Sequence, residues 1–462
     1  MDLSAYSAWE FIIQGSIIVV SIVLGNIIRR KVKFISNSLL PSSVIGGLLI
    51  FILKFIPGVS TAIDSGMMEI ITYHCLGIGF IALALKTGKK TKDKNNKLVV
   101  MDAGIITVLG YLIQAIIGLG ITIPLAVTFM PDLFPAAGLL LPMGFGQGTG
   151  QALNMGKVFE NLGFVNGTTF GLAIAAVGFI VACICGVIYL NYLKSKGKLN
   201  EQVKRIALNN EMKSNIYDED EAPLNESVDK LTIQLGLIFI VYMITYGAIS
   251  LGSYLSIEYL GNFGKNTVSP LLWGFNFLFG SVFAMLVKKV MEALKRKGIM
   301  THQHVNNYLM NRISGLFFDV MIVAGIAAID WKNLEGLLIP LILVCVIGTI
   351  GTFFFIKFVC HKTFKGYEHE AFFSIFGMLT GTASTGMILL REIDPNFETP
   401  AADNLVLQQV PAIAFGAPIL LLIPFAGESL TNALIVFGIV IVLFVVYNII
   451  LLRKYIFKKK SA

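Results

Sequence analysis

The chain has 462 residues, of which 55% are hydrophobic and 14% are charged, and its formal net charge is +8 at pH 7. Long apolar runs without period-two alternation exclude an outer-membrane barrel and indicate a polytopic all-α membrane protein. The basic residues lie in short loops between the apolar runs, where positive-inside topology explains them, so the charge does not indicate a nucleic-acid partner.

Five membrane spans are predicted in residues 1–193, which we expect to form an N-terminal repeat. They cover residues 8–28, a run that begins at residue 39, and residues 67–86, 98–127 and 164–193. Clusters of lysine and arginine follow the first, third and last of these spans. Because such clusters stay in the cytoplasm, the N-terminus is predicted to lie outside the cell.

The stretch Gly144–Leu153 (GFGQGTGQAL) interrupts the apolar sequence before the last of these spans. Its glycines disfavour a continuous helix, since each costs about 1 kcal/mol relative to alanine. The arm that precedes it has about ten residues, or about 15 Å of helix, which is half of a hydrocarbon core. We therefore predict a re-entrant hairpin over residues 136–159; the alternative is a glycine-rich helix-packing face. A complete crossing would place the basic loop after residue 193 outside, so the loop charges favour the hairpin.

The second half of the chain repeats this plan in the opposite orientation. Residues 194–230 are polar and are predicted to form a cytoplasmic linker, and residues 231–427 to form a C-terminal repeat. The spans of this repeat cover residues 231–253, 270–288, 313–329, 334–357 and 405–426. Residues 428–462 add a further span over 430–452 and a basic tail, which places the C-terminus in the cytoplasm.

A second short-armed hairpin is predicted over residues 371–391, where a small polar cluster separates two apolar arms. Gly381-Thr382 in this cluster matches Gly148-Thr149 in the first hairpin. Duplicated breaks near the midplane indicate the binding site of a secondary transporter. The predicted fold therefore has two inverted-topology five-helix repeats, each with a re-entrant hairpin from an opposite face, plus one extra C-terminal helix.

Three motifs carry a resemblance to a known family. They are LLPSSVIGGLL from residue 39, GQGTG at residues 146–150 followed by Gly163-Phe164, and Val410-Pro411 after the second hairpin. In these motifs, and over nearly its whole length, the chain resembles the sodium/glutamate symporter family. The resemblance implies two inverted five-helix repeats with glycine-rich hairpins, uptake of glutamate with sodium, and homodimers whose hairpin-bearing core moves against a dimerising scaffold.

Two departures from the family pattern leave the substrate open. Gln147 stands where glutamate-type members have a histidine, and residues 381–386 read GTASTG where those members have a proline-containing motif close to GATPTA. The predicted function is sodium-coupled uptake of glutamate, or of a related amino acid or carboxylate, across the plasma membrane by alternating access. The alternatives are a sodium/proton antiporter and a carrier for a different carboxylate. Five scattered histidines offer no convergent metal or nucleophile set, so no enzyme is predicted.

Sodium prefers about five or six oxygen ligands, and a broken helix supplies them as hydroxyls, amides and unwound carbonyls. The candidate binding residues are Gln147, Gly148, Thr149, Gly150, Gln151 and Asn154 in the first hairpin, and Thr380, Gly381, Thr382, Ser384 and Thr385 in the second. The candidate sodium ligands among them are Thr149, Thr382 and Ser384. The alternative is that these hydroxyls cap the broken backbone.

Two charged residues are further candidates for the binding site. Arg391 is the cation nearest the second hairpin and could pair with a substrate carboxylate bidentately; the alternative is an arginine that snorkels at the membrane rim. Asp319 is the most deeply placed carboxylate in an apolar span and could form a proton or sodium site. A rim position is the alternative for Asp319 as well.

Overall fold

The computed structural model describes residues 6–33, 35, 39–56, 58, 62–86, 94–196, 224–298, 305–394 and 399–453. Within these ranges the chain forms 17 α-helices and no strands. The α-helices are α1 (Tyr6–Lys31), α2 (Ser42–Leu53), α3 (Ser65–Leu85), α4 (Lys94–Thr128), α5 (Gln147–Asn161), α6 (Gly167–Ser195), α7 (Leu224–Phe263), α8 (Ser269–Gly274), α9 (Asn276–Arg296), α10 (Asn307–Ala328), α11 (Leu338–Thr363), α12 (Glu368–Thr380), α13 (Ala383–Arg391), α14 (Ala401–Leu407), α15 (Gln409–Leu420), α16 (Leu422–Gly427) and α17 (Leu430–Leu451).

Eight of the described helices are long and apolar enough to cross a membrane. They are α1, α3, α4, α6, α7, α10, α11 and α17. The prediction of an all-helical polytopic membrane protein is therefore confirmed. The inverted orientation of the two repeats and the sides on which the termini lie remain predictions.

Three predicted spans differ from single long helices. α2 has only 12 residues, or about 18 Å, and the run from residue 270 begins in the short α8 before α9. The run over residues 405–426 is divided among α14, α15 and α16. α15 and α16 each begin two residues before a proline, Pro411 and Pro424, and proline is tolerated in the first turn of a helix.

The described residues group into two compact units. Unit one comprises residues 1–69, 91–204 and 322–462, and unit two comprises residues 70–90 and 205–321. Each unit draws on both halves of the chain, so the predicted repeats (1–193 and 231–427) do not coincide with these units and remain a prediction. Most of the predicted linker (residues 197–223) and the tail after residue 453 lie outside the described residues.

Unit two has an apolar core formed by the later part of α3, the middle of α7, and the facing parts of α9 and α10. The core side chains include Ile81, Val241, Ala284 and Met310, all buried. The Ser314 hydroxyl donates to the carbonyl oxygen of Gly79 at 3.1 Å, which satisfies a hydroxyl that would be costly to bury alone.

Unit one contains both predicted hairpins, packed among α4, α6 and α11. The Phe353 ring of α11 contacts Phe372 and Phe376 of α12, with ring centroids 5.2 and 5.5 Å apart. Such buried aromatic pairs contribute about 0.5–1.5 kcal/mol each beyond their area. The extra helix α17 packs along α4, and at its end the Arg453 guanidinium pairs with the buried Asp102 carboxylate at 3.2 Å. Unit one therefore holds the elements on which a transport site would be built.

Candidate functional site

The first predicted hairpin is a broken helical segment, residues 135–161, here called the first broken segment. It starts with a 3-10 helix (Pro135–Leu139), continues as a π-helix (Pro142–Gly146) and ends as α5. The break lies at Gly148, whose backbone has φ 77° and ψ −169°. Only glycine adopts this conformation readily, because a Cβ would clash with the backbone.

The two ends of the first broken segment lie close together. The Phe134 ring, just before the segment, lies 5.1 Å from the Phe159 ring near the end of α5. The two ends of the segment are therefore neighbours in the fold. That the segment is a re-entrant hairpin, inserted from the outer membrane face, remains a prediction.

The second predicted hairpin is the second broken segment, residues 368–391. α12 ends at Thr380, and Thr382 caps α13 with its hydroxyl oxygen, which accepts from the Thr385 backbone N–H at 3.4 Å. The two arms pack closely side by side, since Gly386 of α13 lies against the Ser374 carbonyl of α12. The Gly381-Thr382 motif is therefore the break of this segment.

The two breaks meet inside unit one. A Cβ built on Gly148 would lie 3.7 Å from Thr382 Cγ2 and 3.8 Å from the Gly381 carbonyl oxygen. The backbone of Gly178 in α6 packs closely against the second break, because a Cβ on Gly178 would lie 2.5 Å from the Thr380 carbonyl oxygen. We call the region around Gly148, Gly381 and Thr382 the junction.

The junction presents helix ends of both polarities. α5 and α13 begin at the breaks, and their free N–H groups and dipoles favour an anion such as a carboxylate. The π-helix and α12 end there, and their terminal carbonyls favour a cation. Crossed half-helices of this kind can hold an anionic substrate and its coupled cation side by side.

The polar side chains near the junction are mostly buried. Thr149, Gln151, Asn154, Thr380 and Thr385 are buried, whereas Gln147 and Thr382 are partly exposed. The Thr380 hydroxyl donates to the Phe376 carbonyl of its own helix at 2.8 Å, and the Thr382 hydroxyl caps α13. Each threonine oxygen still keeps lone pairs for a cation.

Gln151 differs from these residues because neither of its amide atoms has a hydrogen-bond partner among the described residues, although the side chain is only 1% exposed. A buried amide without a partner costs about 1–3 kcal/mol. The role of Gln151 as a binding residue remains a prediction.

The model of the sodium/glutamate symporter family matches residues 10–399, a range that includes both broken segments. The chain belongs to the sodium/glutamate symporter family. A comparison with curated proteins found no match. Symporters are transporters rather than enzymes, and membership of this family together with eight candidate spans indicates a multi-pass membrane protein that performs sodium-coupled transport.

In this family member, α4 supports both broken segments through two residues that the sequence reasoning missed. The Gln114 amide nitrogen donates to the Leu379 carbonyl at 2.8 Å, next to the end of α12. The Tyr111 hydroxyl lies 3.5 Å from the Gly146 carbonyl, the last of the π-helix. A polar residue in a long apolar span was the available signal, since a buried polar group requires a partner.

Gly325 of α10 is a third residue that the sequence reasoning missed. A Cβ on Gly325 would lie 2.5 Å from the Thr149 Cβ, so the threonine packs directly on the α10 backbone. This close contact fixes Thr149 beside the break. No sequence pattern indicated it.

The remaining candidates lie away from the junction or outside the described side chains. Arg391 is exposed at the opposite end of α13, about 12 Å along the helix from its start. Asp319 is exposed on the part of α10 that belongs to unit two. Ser384 lies in α13, but its side chain is outside the described residues. The roles of all three in this transporter remain predictions.

We expect Gly148→Ala to lower the free energy of unfolding by about 1–3 kcal/mol and to impair transport, because alanine cannot adopt the observed backbone conformation without strain. Thermal unfolding of the detergent-purified protein measures the effect. Gly120→Ala in α4 is the control, since its Cβ meets only Phe437 at 3.9 Å and alanine favours a helix. Equal stability of Gly148→Ala and Gly120→Ala would contradict the strained break.

Proposed function

We propose that the chain takes up glutamate, or a related anionic amino acid or carboxylate, together with sodium across the cytoplasmic membrane by alternating access, and binds both at the junction. The observation that carries this proposal is the contact between the two breaks, with Gly148 against Thr382 and Gly381. Family membership supports the sodium coupling.

In this proposal the substrate and the ion use different parts of the junction. The substrate carboxylates face the N-terminal ends of α5 and α13, where free N–H groups are available. Sodium binds among the hydroxyls of Thr149, Thr382 and Ser384 and the carbonyls that end the preceding half-helices. The amides of Gln147, Gln151 and Asn154 complete the set as donors or acceptors.

The two outlying charged residues have separate proposed roles. Arg391 pairs with a carboxylate only if the second broken segment moves during transport. Asp319 serves as a proton or sodium site in unit two. Neither role is needed for binding at the junction.

The alternative of a sodium/proton antiporter has less support. The described residues that form the junction are amides, hydroxyls and backbone groups, which do not titrate near neutral pH. A carrier for a different carboxylate remains an open alternative, because Gln147 replaces a histidine of glutamate-type members. A screen of amino acids and dicarboxylic acids separates these substrates.

The proposed topology supports alternating access. The two repeats insert their broken segments from opposite membrane faces, with the N-terminus outside and the C-terminus in the cytoplasm. Unit one, which holds both segments, serves as the moving core of a homodimer. A cysteine at Ala383 should then react with hydrophilic thiol reagents, since this residue is exposed at the start of α13.

Binding linkage tests the proposed function. Each ligand that binds the folded state raises the unfolding temperature, and two coupled ligands raise each other's affinity by the same factor. We therefore expect L-glutamate to stabilise the purified protein strongly in sodium and weakly in choline at equal ionic strength. Stabilisation by glutamate that is identical in both salts would end the coupling proposal.

We expect Thr149→Val and Thr382→Val each to raise the sodium concentration that gives half-maximal glutamate binding. Each substitution removes one oxygen ligand and preserves the shape of the side chain. The matched control is Thr128→Val, because Thr128 is exposed at the end of α4 and its hydroxyl donates to the Pro124 carbonyl of the same helix. If the two junction variants match this control, these hydroxyls serve only as caps.

A further inference from the structure

A cavity of about 610 Å³ lies in unit one, away from the junction, at the base of the second broken segment. Its walls come from the last turns of α6 and α11, the first turn of α12 and residue Ile393 just beyond α13. Both ends of the second broken segment therefore border the cavity. Its volume falls in the range of small-molecule sites, about 300–1,000 Å³.

One wall of the cavity carries a lysine without a carboxylate partner. The Lys357 ammonium lies 4.8 Å from the centroid of the Tyr189 ring and 5.9 Å from that of Phe353. No carboxylate of the described residues lies within ion-pair distance of it. Aromatic faces hold a cation in place but do not neutralise it, so this ammonium remains available to an anion. His361 lies one helical turn further along α11 and borders the same cavity.

The first turn of α12 adds two carboxyl groups to the lining of the cavity, Glu368 and Glu370. Glu368 Oε2 accepts from the Gly366 backbone N–H at 3.0 Å. Burial raises the pKa of the Glu370 carboxyl above its usual range, and the nearby Asp394 and Glu368 carboxylates raise it further. Neither acid lies within ion-pair distance of Lys357, and the carboxyl oxygens of both can accept hydrogen bonds from an ammonium group.

The Lys357 ammonium of α11 and the carboxyl oxygens of α12 border one cavity and are suited to the carboxylate and the ammonium of an amino acid. We propose that this cavity is a second binding site for an acidic amino acid, with a ligand carboxylate on Lys357 and its ammonium toward Glu368 and Glu370. A bound ligand bridges α11 to the first turn of α12 and so restrains the base of the second broken segment. The choice of ligand rests on the proposed function; the site itself does not.

Sodium separates the two sites. At the junction a coupled cation balances the carboxylates, so binding there requires sodium. In the cavity the Lys357 ammonium balances the ligand carboxylate, so binding there should persist when choline replaces sodium.

The test is equilibrium binding of radiolabelled L-glutamate to the purified full chain in choline and in sodium at equal ionic strength. We expect the parent to bind glutamate weakly in choline. Lys357→Gln should lower this affinity about tenfold or more because it removes the cation, whereas Lys357→Arg should largely retain it because it keeps the cation. The sodium-dependent site should be unchanged in both variants. Lys362→Gln on the same helix, outside the cavity lining, is the control.

Absence of sodium-independent binding in the parent would overturn the inference, and so would choline binding that Lys357→Gln leaves intact. If the parent shows no sodium-dependent binding, but its binding in choline is still weakened by Lys357→Gln, the proposed function is contradicted and the cavity site is supported. The folded state of every variant is verified by its unfolding temperature without ligand.

Discussion

Gln151→Leu is expected to stabilise the ligand-free protein and to abolish transport. The Gln151 amide is buried and has no hydrogen-bond partner among the described residues, so its removal should recover about 1–3 kcal/mol of unfolding free energy. The same removal eliminates a polar contact that we assign to the ligand. Unfolding temperature without ligand and glutamate uptake into proteoliposomes measure the two effects on one preparation.

The matched control for this prediction is Gln408→Leu. Gln408 is also buried, but its amide oxygen accepts from the Thr107 hydroxyl at 2.6 Å and its nitrogen contacts Met378 Sδ at 3.4 Å. Leucine there removes both of these contacts of the buried amide, so Gln408→Leu should destabilise the protein. If Gln151→Leu is as destabilising as this control and still transports, Gln151 is a structural residue and not part of the site.

Gly178→Ala is expected to lower transport by roughly 100-fold while the protein remains folded. The new Cβ would lie 2.5 Å from the Thr380 carbonyl oxygen and 2.9 Å from Phe145 Cδ1, and a backbone carbonyl cannot rotate away as a side chain can. The two broken segments must then shift on α6, and a displacement of about 1 Å in a preorganised site costs about two orders of magnitude.

The control for Gly178→Ala is Gly416→Ala, whose Cβ meets only Val108 Cγ2 at an ordinary 3.6 Å. Uptake rates are compared at equal amounts of folded protein, which size-exclusion profiles and unfolding temperatures establish. The account predicts near-parental transport for Gly416→Ala. Near-parental transport by Gly178→Ala would show that the position of the Thr380 carbonyl does not matter to function.

Local rules predicted the breaks themselves. Glycine at residue 148 and the Gly381-Thr382 motif marked both interruptions, because glycine spacing and helix length act within a few residues of sequence. The duplicated motif also indicated that the two breaks belong to one site, and the structure brings them into contact. The residues matched by the family model confirm the resemblance that these motifs carried.

Contacts between distant segments could not be read in the same way. The support that Gln114 gives to the Leu379 carbonyl joins residues 265 positions apart, and no local pattern encodes such a pair. The grouping of segments from both halves into two units likewise depends on packing of whole helices. By contrast, the starts of α15 and α16 just before Pro411 and Pro424 follow a local rule, that proline is tolerated in a first helical turn, which the sequence analysis did not apply there.

Sodium-driven accumulation of labelled L-glutamate in proteoliposomes tests the central claim most directly. The account predicts that an inward sodium gradient accumulates glutamate above equilibrium, that choline in place of sodium abolishes this accumulation, and that Thr128→Val, outside the junction, accumulates as the parent does. Glutamate uptake of equal extent in sodium and in choline would contradict the account.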